Sequence, residues 1–517
     1  MIKEVTNPII MADFPDPDII RVGDTYYMVS TTMHMMPGCV ILRSYDLIHW
    51  ETATHVYETL DGTPGQKLMD DKGIYANGMW AASFRYHKGT FYLAFVCNDT
   101  HKTYLYTASK IEGPWEKRFI EGFYHDCSLL FDEDDKVYII YGNREIWITE
   151  LKDDLSGPKP GGLHKLIIKD SEDAILGYEG SHVYKRNGKY YIFLIHIPST
   201  GYRRRTEACF VSDQVDGPYI GKEVMDDDMG YRNAGVAQGG IIDTPDGDWY
   251  AYLFQDYGAL GRIPVLMPMR WEKDFPVLGI DGKIPFEVEV KSTRPDYQYA
   301  PLVGDDDFDY QVGEDGKIHL KNIWQWNHEP DGSCWSVTER PGYLRIKTSG
   351  ISQNLVKARN TLTQRTLGRY CEGITVLDGE GLKDGDFAGI CTLQSIYGFI
   401  GLTKENGQYY ITMMGREKSV VQPHQWQRYN DTEPATEYAK IPVDTSRVEL
   451  KVVCSFGKEL DQAEYFYRWQ GEWLKLGITL QLRYTLEQFM GCRFGLFCFS
   501  TRQPGGYADF DSFRFIR

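Results

Sequence analysis

Three acidic residues open otherwise similar stretches of this chain. Asp16 precedes Pro17-Asp18-Ile19-Ile20, Asp126 precedes Cys127-Ser128-Leu129-Leu130, and Glu179 precedes Gly180-Ser181-His182-Val183. Carboxylates gathered in a poorly solvated place repel one another, and burial plus like charge raises at least one pKa. One carboxyl group then holds a proton at neutral pH while another stays ionised. That combination cleaves glycosidic bonds: the acid protonates the leaving oxygen, and a carboxylate on the opposite face activates a water. A third carboxylate can tune and orient the acid. Each residue alone has a plainer reading. Asp before Pro opens turns, Asp126 after His125 suits a turn, and Glu179 after Tyr178 suits a solvated edge. A shared register sets them apart.

That register belongs to an internal repeat. Five segments read as strand, tight turn, strand. Their leading residues are Asp16, Ala81, Asp126, Glu179 and Gln238, spaced 65, 45, 53 and 59 residues apart. Asn187-Gly188 and Asp246-Gly247 between apolar runs are hairpin signals. The spacing matches a four-stranded blade with its loops, so five units predict a five-bladed β-propeller whose equivalent leading positions meet at the axis. Little helix is expected, with Asp154 to Gly157 the best candidate.

The pattern changes after Trp271. Residues 286–303 read as a linker or a docking strand. From Asp305 onward short alternating segments such as Tyr343–Lys347, Ala388–Leu393 and Val448–Val453 indicate a β-sandwich. The division expected is a propeller over residues 1–300 and a sandwich over 304–517, an all-β protein.

Composition agrees with many short strands: aromatics make up 14% of 517 residues, and glycine is abundant. A net charge of -17 leaves no basic surplus for nucleic acid or an anionic membrane and suits a neutral oligosaccharide. The ten cysteines include no CxxC pair and read as scattered buried thiols. No secretory signal pattern opens the chain, so a cytoplasmic location is expected. Oligomeric state is not legible.

Several residues are candidates to contact substrate. Trp80 beside Ala81 could stack on a sugar or simply pack in the core. Arg262 could bind hydroxyls, steady Asp126, or form a surface ion pair. Gln238 offers a polar contact. His34, among Met33, Met35 and Met36, could rim the pocket, although a lone His in a Met-rich stretch more often packs in the core. The loop Tyr75-Ala76-Asn77-Gly78 is a second rim candidate. Asp18 lies outside the register of leading acids and reads as structural.

Phe14-Pro15-Asp16-Pro17-Asp18, Trp80-Ala81, Asp126-Cys127-Ser128-Leu129, Glu179-Gly180-Ser181-His182 and Asp243-Thr244-Pro245-Asp246-Gly247 together resemble glycoside hydrolase family 43. Trp324-Gln325-Trp326-Asn327-His328 and Arg359–Arg365 resemble the concanavalin-like domain that follows it in many β-xylosidases. The resemblance implies an inverting enzyme with Asp16 as general base, Glu179 as general acid and Asp126 as modulator, acting on xylo-oligosaccharides or arabinofuranosyl groups. It implies Arg262 and Trp80 in the substrate pocket and a C-terminal loop that can help close it. It requires no cofactor. The family often carries His at the fifth leading position, with calcium in some members; Gln238 stands there instead, leaving a calcium or water site in that region open. Endo-arabinanase action, or sugar binding without catalysis, are the competing readings.

Overall fold

The computed structural model describes residues 2–418 and 433–517. Its first part is five four-stranded antiparallel sheets, four of them built from consecutive strands and the first interrupted by one short strand that leaves it. Blade one comprises Asp18–Val22, Thr25–Ser30, Gly38–Ser44 and Glu51–Tyr57; blade two runs from Met79–His87 to Glu116–Ile120. Blades three, four and five begin with Ser128–Phe131, Leu176–Arg186 and Ala237–Asp243. The five innermost strands are the first halves of the five sequence repeats, as the register predicts.

A repeated polar contact joins the blades. Two positions after the leading residue, Asp18, Ser83 and Ser128 each accept a backbone N–H from the next blade. The donors are Phe84 (2.8 Å), Leu129 (2.9 Å) and Val183 (3.1 Å). Ile241 N–H donates to the Tyr184 hydroxyl between blades four and five. Arg21 pairs with Asp243 to close the ring between blades five and one. A buried N–H needs a partner, and a short polar side chain at one repeat position supplies it. Asp18 is thereby structural: its other bond is an ion pair with Arg85, whose guanidinium also reaches Ser128 and Val183 O. Ile19, Tyr26, Met28, Ile242 and Tyr252 pack the closure between the first and last blades.

Glu287–Lys291 pairs with Ile2–Thr6 in a two-stranded ribbon, so the segment after the propeller contains a docking strand. The Asp154–Gly157 segment is not helical. The Asp154 side chain accepts the Ser156 N–H in a turn, and the short helices among the described residues are 3-10 turns at Gly258–Leu260 and Leu355–Lys357.

The C-terminal part is a sandwich of two large antiparallel sheets. Alternation along Tyr370–Asp378, Asp386–Leu393 and Arg447–Phe456 sends Leu377, Ile390, Leu450 and Val452 into one core with Phe494 and Phe510. The two parts interlock: Met35–Met36, from a loop of blade one, forms the last strand of one sandwich sheet by pairing with Trp326 and Asn327. All ten cysteines are free, nine of them buried and Cys334 half-buried.

Candidate active site

The leading positions converge because the backbone turns sharply there. Asp16, Asp126 and Gln238 have φ of 52°, 48° and 57°, in the left-handed region where non-glycine residues are uncommon and mark functional sites. In blades two, four and five the register slips at this same place, between Met79 and Ala82, at Glu179, and between Ala237 and Gly239. Such bulges re-aim a side chain. Gly180, just after Glu179, has φ +66°, and a Cβ there would stand 2.7 Å from the Gln238 side chain. A larger residue would push blades four and five apart at the axis.

A cavity of about 440 Å³ opens at this end of the axis, lined by all five leading residues. At one side lies Asp16. Its Oδ1 accepts a hydrogen bond from Arg262 Nη1 at 2.7 Å, and its Oδ2 accepts one from the Thr31 hydroxyl at 2.7 Å. Both partners of the ion pair are almost fully buried, and such charge-assisted bonds are short and strong. At the other side Glu179 Oε2 accepts from the Asn143 amide and lies 3.4 Å from His125 Nε2. Asp126 sits deeper, with Oδ2 accepting the Gly180 N–H at 3.1 Å. Burial first, then the charges of Glu179 and Asp16, push the Asp126 carboxyl up to about 7, against the lowering effect of His125. For His125 burial opposes the charge, but Asp126, Glu179 and Asp16 outweigh it and hold the imidazolium up to about 9.

The sandwich supplies one wall. Phe489, φ 58°, lines the cavity, lies 5.9 Å from the Trp80 ring, and is covered by the Arg262 guanidinium at 4.3 Å. Asp13 fixes its loop, accepting Arg262 N–H with Oδ1 and Gly491 N–H with Oδ2. A Cβ at Gly491 would meet Leu260 O at 2.2 Å, so glycine is what permits this approach.

Trp80, Ala81, Arg262 and Gln238 line the cavity, whereas His34 does not. The His34 ring is fully buried between Tyr75 and His328, and desolvation lowers its pKa to about 3. It belongs to the seam between the two domains, as does Tyr75, whose hydroxyl donates to Val356 O. The rim expectation fails for both because their rings pack against His328 of the sandwich, while the neighbouring Met33 does line the cavity. Arg262 pairs with Asp16 rather than Asp126.

His125, Asn143, Arg205, Phe254 and Phe489 are cavity residues that the leading-position register did not select. Four had a signal. His125 precedes a leading residue. Asn143 ends the second strand of blade three, Phe254 lies near the end of the second strand of blade five, and Arg205 precedes the third strand of blade four. Strand ends nearest the leading residue face the same end of the axis.

At Gln238 the backbone N–H donates to Glu207 Oε2. The ligand-type cluster found among the described residues is His125, Asp126 and Glu179, with donor atoms within 4.8 Å.

The family model for glycosyl hydrolases family 43 matches residues 5–276, more than half of the chain. This chain belongs to family 43. A second model, the β-xylosidase C-terminal concanavalin A-like domain, matches residues 315–516. Among family 43 relatives, a putative β-xylosidase of Xylanibacter ruminicola is 32% identical over 78% of this chain and 74% of its own length. A non-reducing end α-L-arabinofuranosidase of Bacteroides ovatus is 29% identical over 68% and 66%. A solved bifunctional GH43-CE protein of Bacteroides eggerthii is 42% identical with a TM-score of 0.90, covering all of this chain, which spans 64% of that one. The chain is therefore a glycoside hydrolase of a family that inverts configuration, with a propeller and a sandwich.

Proposed function

We propose that the enzyme releases xylose or arabinose from the non-reducing ends of xylo-oligosaccharides or arabinose-substituted hemicellulose. Asp16 acts as general base, Glu179 as general acid, and Asp126 as the residue that sets the acid's proton and orientation. The observation that carries this reading is the shape and polarity of one cavity. Carboxylates stand on two sides of it, and Phe489 with Trp80 walls it off, so it suits a chain end rather than the middle of a polymer. An endo-acting enzyme needs an open groove. A silent binding protein needs none of the proton machinery at His125, Asp126 and Glu179.

In this reading the terminal sugar enters with its glycosidic oxygen at Glu179 and its anomeric carbon between the two sides. The elevated proton affinity lies on Asp126, the deeper group, yet in a cluster this close the proton belongs to the set rather than to one residue. Glu179 is the more exposed member, with 19% of its side chain accessible against 7% for Asp126. A proton held by the pair reaches the substrate through Glu179. Asp16, ion-paired with Arg262, takes a proton from a water that attacks from the opposite face, and the product anomer is inverted. Arg262 lines the cavity and is held by its ion pair with Asp16, which places its guanidinium beside the bound sugar. The names of the relatives, β-xylosidase and α-L-arabinofuranosidase, support the two sugars. No step uses a metal.

The test is the first-formed product. Proton NMR during hydrolysis of a xylo-oligosaccharide should show the inverted anomer before mutarotation. Initial appearance of the retained anomer would contradict the base role of Asp16.

A further inference from the structure

A further carboxyl group stands two strands outward from Glu179, and no step above uses it. Glu207 lies on the third strand of blade four, Thr206–Ser212, and is fully buried. Strand pairing puts Glu179, Ile195 and Glu207 opposite one another in one row across three strands. Opposed residues of antiparallel strands share a face of the sheet. Ile195, between the two acids in this row, lines the cavity.

What the Glu207 side chain holds belongs to blade five. Ala237 pairs there with Phe254 and Gly239 with Leu253, so Gln238 is the extra residue of a bulge and has no place in the ladder. A buried N–H left without a partner costs about as much as a lost hydrogen bond. Glu207 Oε2 accepts this one at 2.7 Å. The other oxygen, Oε1, is shielded and has no hydrogen-bond partner among the described residues. A buried carboxyl group with one oxygen unpaired is destabilising in itself. An apolar residue would fill the position more favourably but would orphan the Gln238 N–H.

The bond fixes more than one backbone turn. Gln238 has φ 57°, a conformation that a non-glycine residue keeps only where its surroundings hold it. Its side chain lies against Gly180, where a Cβ would stand 2.7 Å from Gln238 Cγ and Cδ. Gly180 follows Glu179 directly, and its N–H donates to Asp126 Oδ2. Contact therefore runs from Glu207 to Gln238, from Gln238 to Gly180, and from Gly180 to both members of the acid pair.

We propose that Glu207 is a positioning residue for the general acid: by holding the Gln238 bulge it fixes the Gly180 turn and with it the aim of Glu179. The proposal rests on the assignment of Glu179 as that acid. A displacement of about 1 Å in a reacting group is enough to lower a rate roughly a hundredfold. Here the displaced group protonates the leaving oxygen, while Asp16 stands on the other side of the cavity.

The test separates substrates by leaving group, using the full-length protein. Glu207→Met fills similar space without an acceptor. Its kcat on xylobiose or arabinobiose, whichever the unmodified protein cleaves, should fall about ten- to a hundredfold. On the matching 2,4-dinitrophenyl glycoside, whose leaving group needs no proton, kcat should stay within about twofold. Glu207→Gln keeps the acceptor. Because burial pushes the native carboxyl up to about 8, it also matches the native charge at neutral pH, and it should behave as the unmodified protein on both substrates. Gln238→Gly keeps the N–H, removes the side chain from Gly180 and leaves Glu207 in place. It should reproduce the selective loss, and it decides the matter if the methionine variant does not fold. The ratio of the two kcat values is the readout, since a general loosening of the site lowers both together. Equal losses on the two substrates, an undisturbed rate on the disaccharide, or a Glu207→Gln enzyme as impaired as Glu207→Met would overturn the proposal. Failure of the acid assignment reads separately: Glu179→Gln itself would then lose both substrates equally, and the proposal would fall with it.

Discussion

Asp16 and Asp126 occupy the same position of their repeat units, share a left-handed backbone and are equally shielded, each 6% exposed, yet they meet opposite neighbours. Asp16 faces a guanidinium and a hydroxyl. Asp126 faces another carboxylate, an imidazole and one backbone N–H. For Asp126, burial and the neighbouring carboxylates together hold the proton. The cation beside Asp16 is Arg262, 246 residues away in sequence and brought there by closure of the ring. A repeat thus delivers identical groups to one place, and non-repeating residues give them different work.

The largest effect should come from removing the side of this contrast that faces the guanidinium. Asp16→Asn keeps the shape but cannot accept a proton, and kcat on xylo-oligosaccharides should fall about 10³-fold or more, in line with general-base contributions of roughly 10²–10⁴. A near-normal steady-state rate would break the comparison. Asp126→Asn should cost less, about 10- to 100-fold in kcat, and should change the pH profile. In the native enzyme the proton held with a pKa of about 7 leaves as pH rises through that value, so activity should decline on the alkaline side. In the variant that limb should move or flatten. An unchanged alkaline limb would remove Asp126 from the proton's control.

Phe489→Ala tests whether dryness at the Arg262 side matters. It removes the ring over the guanidinium, and we expect KM for short oligosaccharides to rise about tenfold with a smaller change in kcat, since one lost wall is worth roughly a few kcal/mol at most. The smallest effect isolates burial alone. Glu207 is fully buried with neither cation nor carboxylate beside it, and desolvation raises its pKa to about 8, against one backbone hydrogen bond. Because the folded-state value lies above the unfolded one, its contribution to stability is complete at acid pH and is lost as pH rises through about 8. Glu207→Gln can still accept the Gln238 N–H but never ionises. Its melting temperature should match the native protein near pH 4, where Glu207 is protonated in both states, and should exceed it increasingly as pH rises, by roughly a few degrees at pH 9. Equal melting at both pH values would show that folding does not raise the Glu207 pKa.

Much of the propeller was legible because one register repeats five times. The strand–turn–strand grammar placed Asp16, Asp126 and Glu179 together without any tertiary information. The second half of the site was less so. Asn143, Phe254 and Arg205 lie at strand ends that repeat as regularly as the leading residues, so the same alignment extended by one strand would have found them. Phe489 had no such signal: it comes from a sandwich loop whose approach depends on Asp13 and Gly491, 478 residues apart. The insertion of Met35–Met36 into a sandwich sheet was equally hidden. A Met-rich loop beside a histidine reads the same whether it rims a pocket or fills an interface, and here His34 fills the interface. The helix expected near Asp154 gave way to a turn because the Asp154 carboxylate caps the Ser156 amide locally, a competition short polar residues often win.

The division of labour between Asp16 and Glu179 is tested most directly by leaving-group dependence. A 2,4-dinitrophenyl glycoside leaves without protonation, whereas a sugar alcohol does not. Glu179→Gln should therefore recover most of the native rate on the activated glycoside while remaining nearly inactive on xylobiose, and Asp16→Asn should be inactive on both. Equal losses for Glu179→Gln on the two substrates, or recovery by Asp16→Asn on the activated one, would contradict the assignment of acid and base.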